Sequence, residues 1–496
     1  MSSPPSTPRL RLASIEAEIV ALQSQLERLR EEKEDILGSM RYPILSLPPE
    51  ITMCIFLRYM DPDRYGRIET SPIVLAGVCR AWRAIALDLG ELWARLPTII
   101  YREASYDEGF TDPRDPLRLL DFHLSHSAMA SLHFRMTVST RFRNPTTLSF
   151  IDGIWQTLRP YCVRLTTLDL NVTHLFDLKG MAKHFPSLRR LGINIECLNG
   201  RIEMFVDAPL LQDVHIIKHP VELIVLPWNQ LESLELDVHS LPGCLSFLDH
   251  TPRLRQLHIN PAREYAPRVG SHALRTLPQL VVLKIGRDGD GWLLQHLVLP
   301  CLTDLRIYML SHEGIIAIEG LVYRSACVIR TFTASFIESE QVLPCLATLP
   351  TLHALTLDGI NPSDDQLRHL FFALSGKWDS EDCILPELTS LTLRDVSGGI
   401  DTSSVVEMLK DRRESPRTAA LTSLSISFNG FNDSWSRDGD IATLRDLRSN
   451  GLRLEICRAP KYPTSTDLDA AFVEEVLGTE QVSEAHCLGH VSPQRV

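Results

Sequence analysis

The arrangement closest to a cation-binding loop is an Asp-Gly-Asp-Gly run at 288–291, because alternating aspartates and glycines are typical of calcium loops. The other oxygen ligands and the closing glutamate are missing, so we interpret this run as a surface turn. Gly376 and Lys377 lack the upstream glycine and the following hydroxyl of a phosphate-binding loop. HExxH, GxSxG and cysteine–histidine signatures do not occur. The sequence therefore predicts no catalytic residue, no metal and no cofactor, and we expect a protein that is not an enzyme.

The cysteines indicate reduced thiols. All eleven are scattered singly, without a CxxC pair or a histidine cluster at metal-ligand spacing. We predict that those with apolar neighbours are small buried side chains: Cys54, Cys79, Cys162, Cys301 and Cys345. A cytoplasmic or nuclear location is therefore expected. The net charge of -12 argues against a nucleic-acid or membrane-surface partner, since a phosphate-binding face is usually basic.

A set of polar residues alternates with aliphatic ones in segments of the form L-x-x-L-x-L, where L is any aliphatic residue. Strand side chains alternate between two faces, so the polar ones should share the outer face. We predict that this face binds a target protein, with Tyr308 as the main anchor. The alternative is a solvated face without a specific ligand. The candidate residues are Asp169, His215, Glu235, Asp237, His258, Lys284, Arg306, Tyr308 and Arg394.

These segments recur along most of the chain. Strands are predicted at 97–101 and 131–138, with a helical stretch near 117–124 between them. The aliphatic segments then begin at Leu165, Leu188, Leu211, Leu231, Leu254, Leu280, Leu302, Leu352, Leu388 and Leu421, with a degenerate copy at Ile329. Helical patterns lie between the later copies, beginning at Ser363, Thr402 and Ile441; the last stops at Gly451, a good C-cap.

The early spacing of about 20 to 27 residues resembles that of leucine-rich repeats. The resemblance implies an α/β solenoid with parallel strands on the concave face and helices or loops outside. The family's asparagine three residues after the third aliphatic is mostly missing, and only Asn429 falls in register. We therefore expect an irregular solenoid.

A heptad pattern precedes the repeats. One core position of the heptad holds Leu12, Ile19, Leu26 and, as a polar interruption, Lys33. The other core position holds Ile15, Leu22, Leu29 and Ile36. This pattern predicts a coiled-coil helix over 12–37, which could form a homodimer. The alternative is that its apolar seam packs against the chain's own body.

The most specific pattern lies between residues 47 and 93. Leu47-Pro48-Pro49-Glu50-Ile51 predicts the start of a helix, with Pro49 in the first turn. Ile51, Ile55 and Tyr59 share one face of it, and Phe56 and Leu57 widen the apolar surface. A second helix is predicted from Leu75 to Ala86. About fifty residues are few for an independent core, so we expect this module to be covered by a partner or by a neighbouring domain.

This segment resembles the F-box family. Its ordered pattern matches at Leu47-Pro48, Glu50-Ile51, Ile55-Phe56, Asp61-Pro62, Val78-Cys79-Arg80, Trp82-Arg83 and Leu92-Trp93. The resemblance implies docking onto the linker subunit of an SCF-type cullin-RING ubiquitin ligase. The residues implied, as shared between that contact and the module's own core, are Leu47, Pro48, Ile51, Ile55, Leu75, Val78, Cys79 and Trp82. The alternative for Trp82 is a plain core aromatic. We interpret Trp93 as a core residue. The stretch from Met60 to Val78 is several residues longer than the family usually has.

Together these patterns predict six regions: a disordered tail at 1–11, a coiled-coil helix at 12–40, an F-box-like module at 43–97, a connecting or first-repeat segment at 98–160, irregular leucine-rich repeats at 161–478 and a flexible tail at 479–496. The F-box-like resemblance implies a substrate receptor that links a target protein to a cullin through the linker subunit. The alternative is a coiled-coil and repeat scaffold outside any ligase.

Overall fold

The computed structural model describes residues 8–39, 47–60, 71–102, 116–139, 145–172, 184–195, 201–217, 221–238, 241–261, 273–287, 291–360, 364–376, 384–397, 401–429 and 438–458. The predicted tail at 479–496, most of the predicted tail at 1–11 and the aspartates of the 288–291 run lie outside these residues. The chain divides into two compact units, one of residues 1–94 with 124–130 and the other of 95–123 with 131–496.

The first helix, α1, runs Pro8–Ser39 and confirms the predicted helix over 12–37. Every described side chain from 11 to 36 is exposed, including the apolar heptad positions. The alternative in which this seam packs against the chain's own body is therefore not realised among the described residues. The helix leaves a long apolar strip uncovered.

Four short helices form the module that follows. They are α2 (Pro49–Tyr59), α3 (Pro72–Val78), α4 (Arg80–Asp88) and α5 (Gly90–Trp93). Proline opens both α2 and α3, where its missing N–H has no helical partner to lose. The Ser71 hydroxyl caps α3 by accepting a hydrogen bond from the Ile73 N–H at 3.3 Å.

The core of this module is small and aromatic. Phe56 and Trp93 are fully buried, and the Trp82 ring meets Phe56 edge-on with 5.0 Å between ring centroids. The Trp93 Nε1–H donates to the Ala86 carbonyl at 2.7 Å. The interpretation of Trp93 as a core residue is therefore confirmed. Met60, Leu75, Ala86 and Leu92 complete the core.

One expectation for the module was wrong. The predicted second helix is two helices, because Cys79 adopts an extended conformation at their junction and its Sγ accepts a hydrogen bond from the Trp82 N–H at 3.4 Å. Helix α2 turns Phe56 inward and leaves Ile51 and Ile55 exposed.

The second unit contains a parallel sheet of fourteen strands in chain order. Its strands are β1 (Ile99–Arg102), β2 (Leu132–Ser139), β3 (Leu165–Val172), β4 (Arg190–Ile195), β5 (Asp213–Ile217), β6 (Ser233–Val238), β7 (Gln256–Pro261), β9 (Val282–Arg287), β11 (Asp304–Tyr308), β12 (Thr331–Ser335), β13 (Ala354–Asp358), β14 (Ser390–Ser397), β15 (Ser423–Asn429) and β16 (Arg453–Arg458). Two short strands, β8 (Arg275–Thr276) and β10 (Leu297–Val298), pair separately.

The aliphatic positions of the repeats form the core of this unit. The register places Leu168 beside Leu191, Leu191 beside Val214, and the same position of each later strand in one continuous row. These side chains are buried, while the residues between them are half-buried or exposed. Strand periodicity therefore sends the leucines to one face and the polar residues to the other. The predicted α/β architecture of parallel strands is confirmed.

Helices connect several of the strands. They are α6 (Pro116–His126), α7 (Pro145–Leu158), α8 (Leu241–Leu248), α9 (His312–Ser325), α10 (Ser339–Ala347), α11 (Asp364–Ser375), α12 (Thr402–Glu414) and α13 (Asp438–Ser449). The predicted stop of the last helix is confirmed. Gly451 has a φ of +98°, and the Leu452 N–H returns to the Leu447 carbonyl at 3.1 Å.

Two elements went unrecognised in the sequence. Strand β16 and the residue before it carry the alternation Leu452, Leu454 and Ile456, which lacks the spacing of the full repeat pattern. Helix α7 lies within the predicted connecting segment. The degenerate copy predicted at Ile329 is confirmed as strand β12, in which Phe332 replaces the usual aliphatic.

Candidate protein-interaction surfaces

The helical module exposes a set of large apolar side chains on α2, on α3 and just before α2, which we together call the module face: Leu47, Ile51, Ile55, Ile73, Val74 and Val78. These side chains are between 37% and 58% exposed. Large apolar side chains grouped on a small unit mark an interaction surface more often than a solvated one.

Helix geometry explains how α2 and α3 produce this face. Ile51 and Ile55 are one turn apart and lie on the same side of α2, whereas Phe56 points to the core. In α3, Pro72 and Leu75 are buried, whereas Ile73, Val74 and Val78 point out. The two helices are thus apolar on both sides. Their inner sides hold the module together and their outer sides remain available.

The structure divides the predicted linker-binding residues. Leu47, Pro48, Ile51, Ile55 and Val78 are exposed. In a second group, Leu75 is buried, Cys79 caps α4 and Trp82 is half-buried against Phe56. Only the exposed group is free to meet a partner without a rearrangement of the core.

Two residues of the module face were missed in the sequence. Ile73 and Val74 belong to the run Pro72-Ile73-Val74-Leu75, which is apolar at every position and therefore too wide for one buried face. That excess of apolar residues was the available signal. Cys54 and Cys301 were expected to be buried and are exposed, whereas Cys162 and Cys345 are buried as expected.

The outer face of the sheet carries the second candidate surface. Strand register aligns one residue from each strand into a row that we call the central row: Arg135, Asp169, Gly192, His215, Glu235, His258, Lys284, Arg306, Thr333, Thr356, Thr392, Ser425 and Glu455. Six of the nine predicted target-binding residues lie in it. Charged groups and histidines occupy its first half, and hydroxyls occupy most of the second.

Neighbouring charges in the central row pair across strands. Arg135 Nη2 lies 3.2 Å from Asp169 Oδ2. Glu235 Oε1 lies 2.8 Å from His258 Nδ1 and 3.5 Å from His215 Nε2. The hydrogen bond from His258 is the largest influence on Glu235 and lowers the pKa of its carboxyl, against the opposing effect of partial burial.

The other three predicted residues lie two positions later in their strands. Asp237 pairs in register with Asn260. Tyr308 is aligned with Ser335, Ser335 with Asp358, and Asp358 with Arg394, in a row closer to the carboxyl ends of the strands. The structure therefore distributes the nine candidates over two adjacent rows of the same sheet face.

Tyr308 has an aromatic neighbour that the sequence did not reveal. Its ring meets Phe336 edge-on, with 5.0 Å between the centroids. Phe336 is 52% exposed and follows β12, the strand of the degenerate repeat. Because that repeat departs from the L-x-x-L-x-L pattern, no register could be assigned to Phe336 before the strand was seen.

Metal-binding clusters and membrane-spanning helices were sought in the described residues. No group of three or more histidine, cysteine, aspartate or glutamate side chains in them could hold a metal ion. None of the described helices combines the length and the apolarity needed to cross a bilayer. The two interaction surfaces are thus the features that the geometry puts forward.

Comparison with known proteins identifies the helical module. Residues 44–97 match the F-box-like family. No curated protein matches the chain. A parallel repeat sheet joined to an F-box-like domain characterises an adaptor that acts through protein–protein contacts.

Several solved structures resemble the chain at low identity. One is the crystal structure of a TLR13–ssRNA13 complex, at 15% identity and a TM-score of 0.33, covering 65% of this chain and 48% of that one. An internalin (inlF) from Listeria monocytogenes has 12% identity and a TM-score of 0.29, and the match covers 70% of this chain and 92% of that one. A protein from Bacteroides fragilis has 14% identity and a TM-score of 0.28, and the match covers 55% of this chain and 65% of that one. The chain thus spans about half of the TLR13 chain that it matches.

Proposed function

We propose that this F-box-like adaptor is the substrate receptor of an SCF-type cullin-RING ubiquitin ligase. The observation that carries the proposal is the module face, which lies within the residues that match the F-box-like family. In this role the module docks onto the linker subunit, and through it onto a cullin. The outer face of the repeat sheet captures the target.

The physical basis for docking is the burial of apolar surface. Complete burial of a fully exposed isoleucine or valine contributes about 1.5 to 3 kcal/mol, and side chains that are 37% to 58% exposed would gain roughly half of that, before the costs of association. The module face has six large apolar side chains, five of them on two helices, enough for a central apolar contact with a polar rim. Its inward side chains, such as Phe56, are already committed to the core.

The receptor itself performs no bond chemistry in this proposal. It holds a target close to the ubiquitin-loaded enzyme, so that transfer occurs at a high effective concentration. Both surfaces must therefore be occupied at once on the same chain. We place this activity in the cytoplasm or nucleus, supported by the free thiols of the cysteines in the described residues.

The test is capture of the linker subunit by an Ile55→Glu variant of the full chain. We expect recovery to fall at least about tenfold, because a carboxylate would be desolvated in the apolar contact. Ile316→Glu is the matched control, since Ile316 is a similarly exposed isoleucine on α9 of the repeat unit. The fold should survive in both variants, whereas Trp82→Ala would also damage the module core.

If the wild-type chain recovers no linker subunit, the receptor proposal fails. A coiled-coil scaffold outside the ligase would then be the remaining function. Loss of recovery in both isoleucine variants would show a general effect of the added charge and would also contradict docking at the module face.

We propose in addition that α1 forms a parallel homodimer. Its heptad seam is exposed along the whole described helix, and a single helix of this kind is marginal in water unless the seam is covered. In a parallel pair, Arg11 faces Glu16 of the second copy, and no like charges meet at the positions on either side of the apolar seam. An antiparallel pair would bring Glu18 close to Glu32 of the second copy.

A further inference from the structure

Four consecutive repeats place a left-handed residue at the carboxyl ends of their strands. Met309, Phe336, Gly359 and Asp395 have φ values of 61°, 54°, 64° and 49°. The backbone N–H groups of the first three each donate a hydrogen bond to a backbone carbonyl of the next strand, with N–O distances of 2.8, 2.8 and 2.9 Å. These residues therefore continue the hydrogen-bond ladder of the sheet. Only glycine adopts this conformation without steric cost, yet three of the four positions carry side chains.

The left-handed conformation exposes large apolar side chains. Met309 is 48% exposed and Phe336 is 52% exposed, although Leu310 and Ile337, which directly follow them, are buried. With Tyr308, whose ring meets Phe336 edge-on, they form what we call the aromatic ridge: Tyr308, Met309 and Phe336.

Gly359 supports the ridge from the next repeat. A Cβ atom at this position would come within 2.8 to 3.2 Å of three atoms of the Phe336 ring. The ring therefore rests directly on the Gly359 backbone and has little freedom to move. A rigid aromatic side chain that is held outward, at a backbone conformation unfavourable for it, has the properties of an interface anchor.

Carboxylates border the ridge on the side of β13 and β14. The Asp358 backbone carbonyl accepts a hydrogen bond from the Phe336 N–H. Partial burial raises the pKa of the Asp358 carboxyl, and the nearby Asp395 carboxylate raises it further. Arg394, which pairs in register with Asp358, lowers that pKa. Glu338 is exposed two residues beyond Phe336. Three carboxylates and one arginine thus lie along this border, which gives it a net negative charge.

We propose that the aromatic ridge and its two aspartates receive a basic segment of the target, in which an arginine or lysine is flanked by apolar residues. The aromatic faces can accept the cation and the apolar flanks, and Asp358 and Asp395 supply the opposite charge. This inference rests on the proposed function, because it names the class of target that the receptor would capture. An acidic target segment would meet like charge at the same place.

The experiment selects binders from a phage-displayed library of random 12-residue peptides on the full-length chain. We expect selected peptides to be enriched in arginine or lysine next to apolar residues. Their affinity should fall about tenfold or more with Phe336→Asn, and also with Asp358→Asn combined with Asp395→Asn. Asparagine tolerates the left-handed conformation, so the substitutions at 336 and 395 retain the backbone. Glu407→Gln, at an exposed carboxylate on helix α12, is the control and should leave affinity unchanged.

Selection of acidic peptides, selection of no peptide, or full affinity in the Phe336→Asn variant would each overturn the inference. Linker-subunit capture by Phe336→Asn is measured in parallel. Normal capture with failed peptide selection would contradict the basic-target inference alone. Lost capture by the wild-type chain would contradict the receptor proposal instead.

Discussion

Arg412 shows how one charged residue can hold several repeats together. It is 1% exposed on α12 and donates hydrogen bonds of 2.8 to 3.3 Å to the carbonyls of Leu374, Leu385, Pro386, Leu388 and Ala419. These acceptors belong to the end of α11 and to the turns before β14 and β15. The planar guanidinium can reach them together because its five donors spread in a fixed fork.

Replacement of Arg412 by leucine should lower the free energy of unfolding by about 3 kcal/mol or more, because each buried carbonyl left without a donor costs about 1–3 kcal/mol. Urea denaturation followed by circular dichroism measures this. Arg413→Leu, at an exposed neighbouring arginine, should change stability by about 0.5 kcal/mol or less. Equal effects of the two substitutions would contradict the role of Arg412.

Glu235 gives a residue-scale prediction about pH. The folded protein holds the pKa of this carboxyl below its ordinary value, chiefly through the His258 hydrogen bond. The carboxylate therefore stabilises the fold above the ordinary glutamate pKa of about 4.3, and that contribution is lost as the pH falls through the lowered folded pKa. The side chain is 34% exposed, so the contribution should stay below about 1 kcal/mol.

We expect Glu235→Gln to be less stable than the wild type at pH 7 and to match it at pH values below the folded pKa of Glu235. Urea unfolding of both proteins at pH 7 and in acid gives the comparison. A stability difference that does not change with pH would show that the carboxylate charge is not involved.

At the scale of elements, the helices of this protein differ in how much of their apolar surface the chain itself covers. Helices α9 and α11 bury one apolar face against the repeats. Helix α2 buries Phe56 and exposes Ile51 and Ile55, and α1 exposes its whole seam. Apolar surface left open on regular elements indicates where other chains bind.

The dimer proposed for α1 predicts a concentration-dependent mass. The full chain should sediment at about twice the 56.0 kDa of one copy. Leu22→Glu should shift it to the monomer, because the seam would then bury a carboxylate. Val20→Glu is the control: Val20 is exposed to a similar extent but lies outside the seam. A wild-type monomer at high micromolar concentration would rule out stable pairing.

At the scale of the whole molecule, two compact units carry two separate surfaces. The module face belongs to the first unit, and the central row and aromatic ridge belong to the second. A receptor needs both surfaces on one chain, but neither needs the other to be occupied. Binding at the two surfaces should therefore be additive, because they share no residue.

This independence predicts the behaviour of a double variant. Ile55→Glu should reduce linker-subunit capture and leave peptide affinity unchanged, Phe336→Asn should do the reverse, and the double variant should show both losses at their separate magnitudes. Pull-down and peptide titration on the same preparations measure the two. Loss of peptide affinity in Ile55→Glu alone would reveal coupling between the units.

Much of the architecture was readable in the sequence because it depends on local periodicity. Alternation of leucines determined the strands and which side chains face the core, and heptad spacing determined α1. Even Arg412 had a sequence signal, since it follows Val405, Met408 and Leu409 at helical spacing on the buried face. The chemistry of a buried arginine could not be foreseen, because its acceptors are 7 to 38 residues away.

The candidate sites depended on tertiary structure to a greater degree. The sequence identified the F-box-like segment and the outward residues of the repeats. The apolar pattern alone could not show that Phe56 is buried while Ile51 and Ile55 are exposed. Both sides of α2 are apolar, and only packing shows which side faces the core. Phe336 became part of a site only when strand register brought it to Tyr308 and Gly359, since residues distant in the chain become neighbours through hydrogen-bonded pairing of strands.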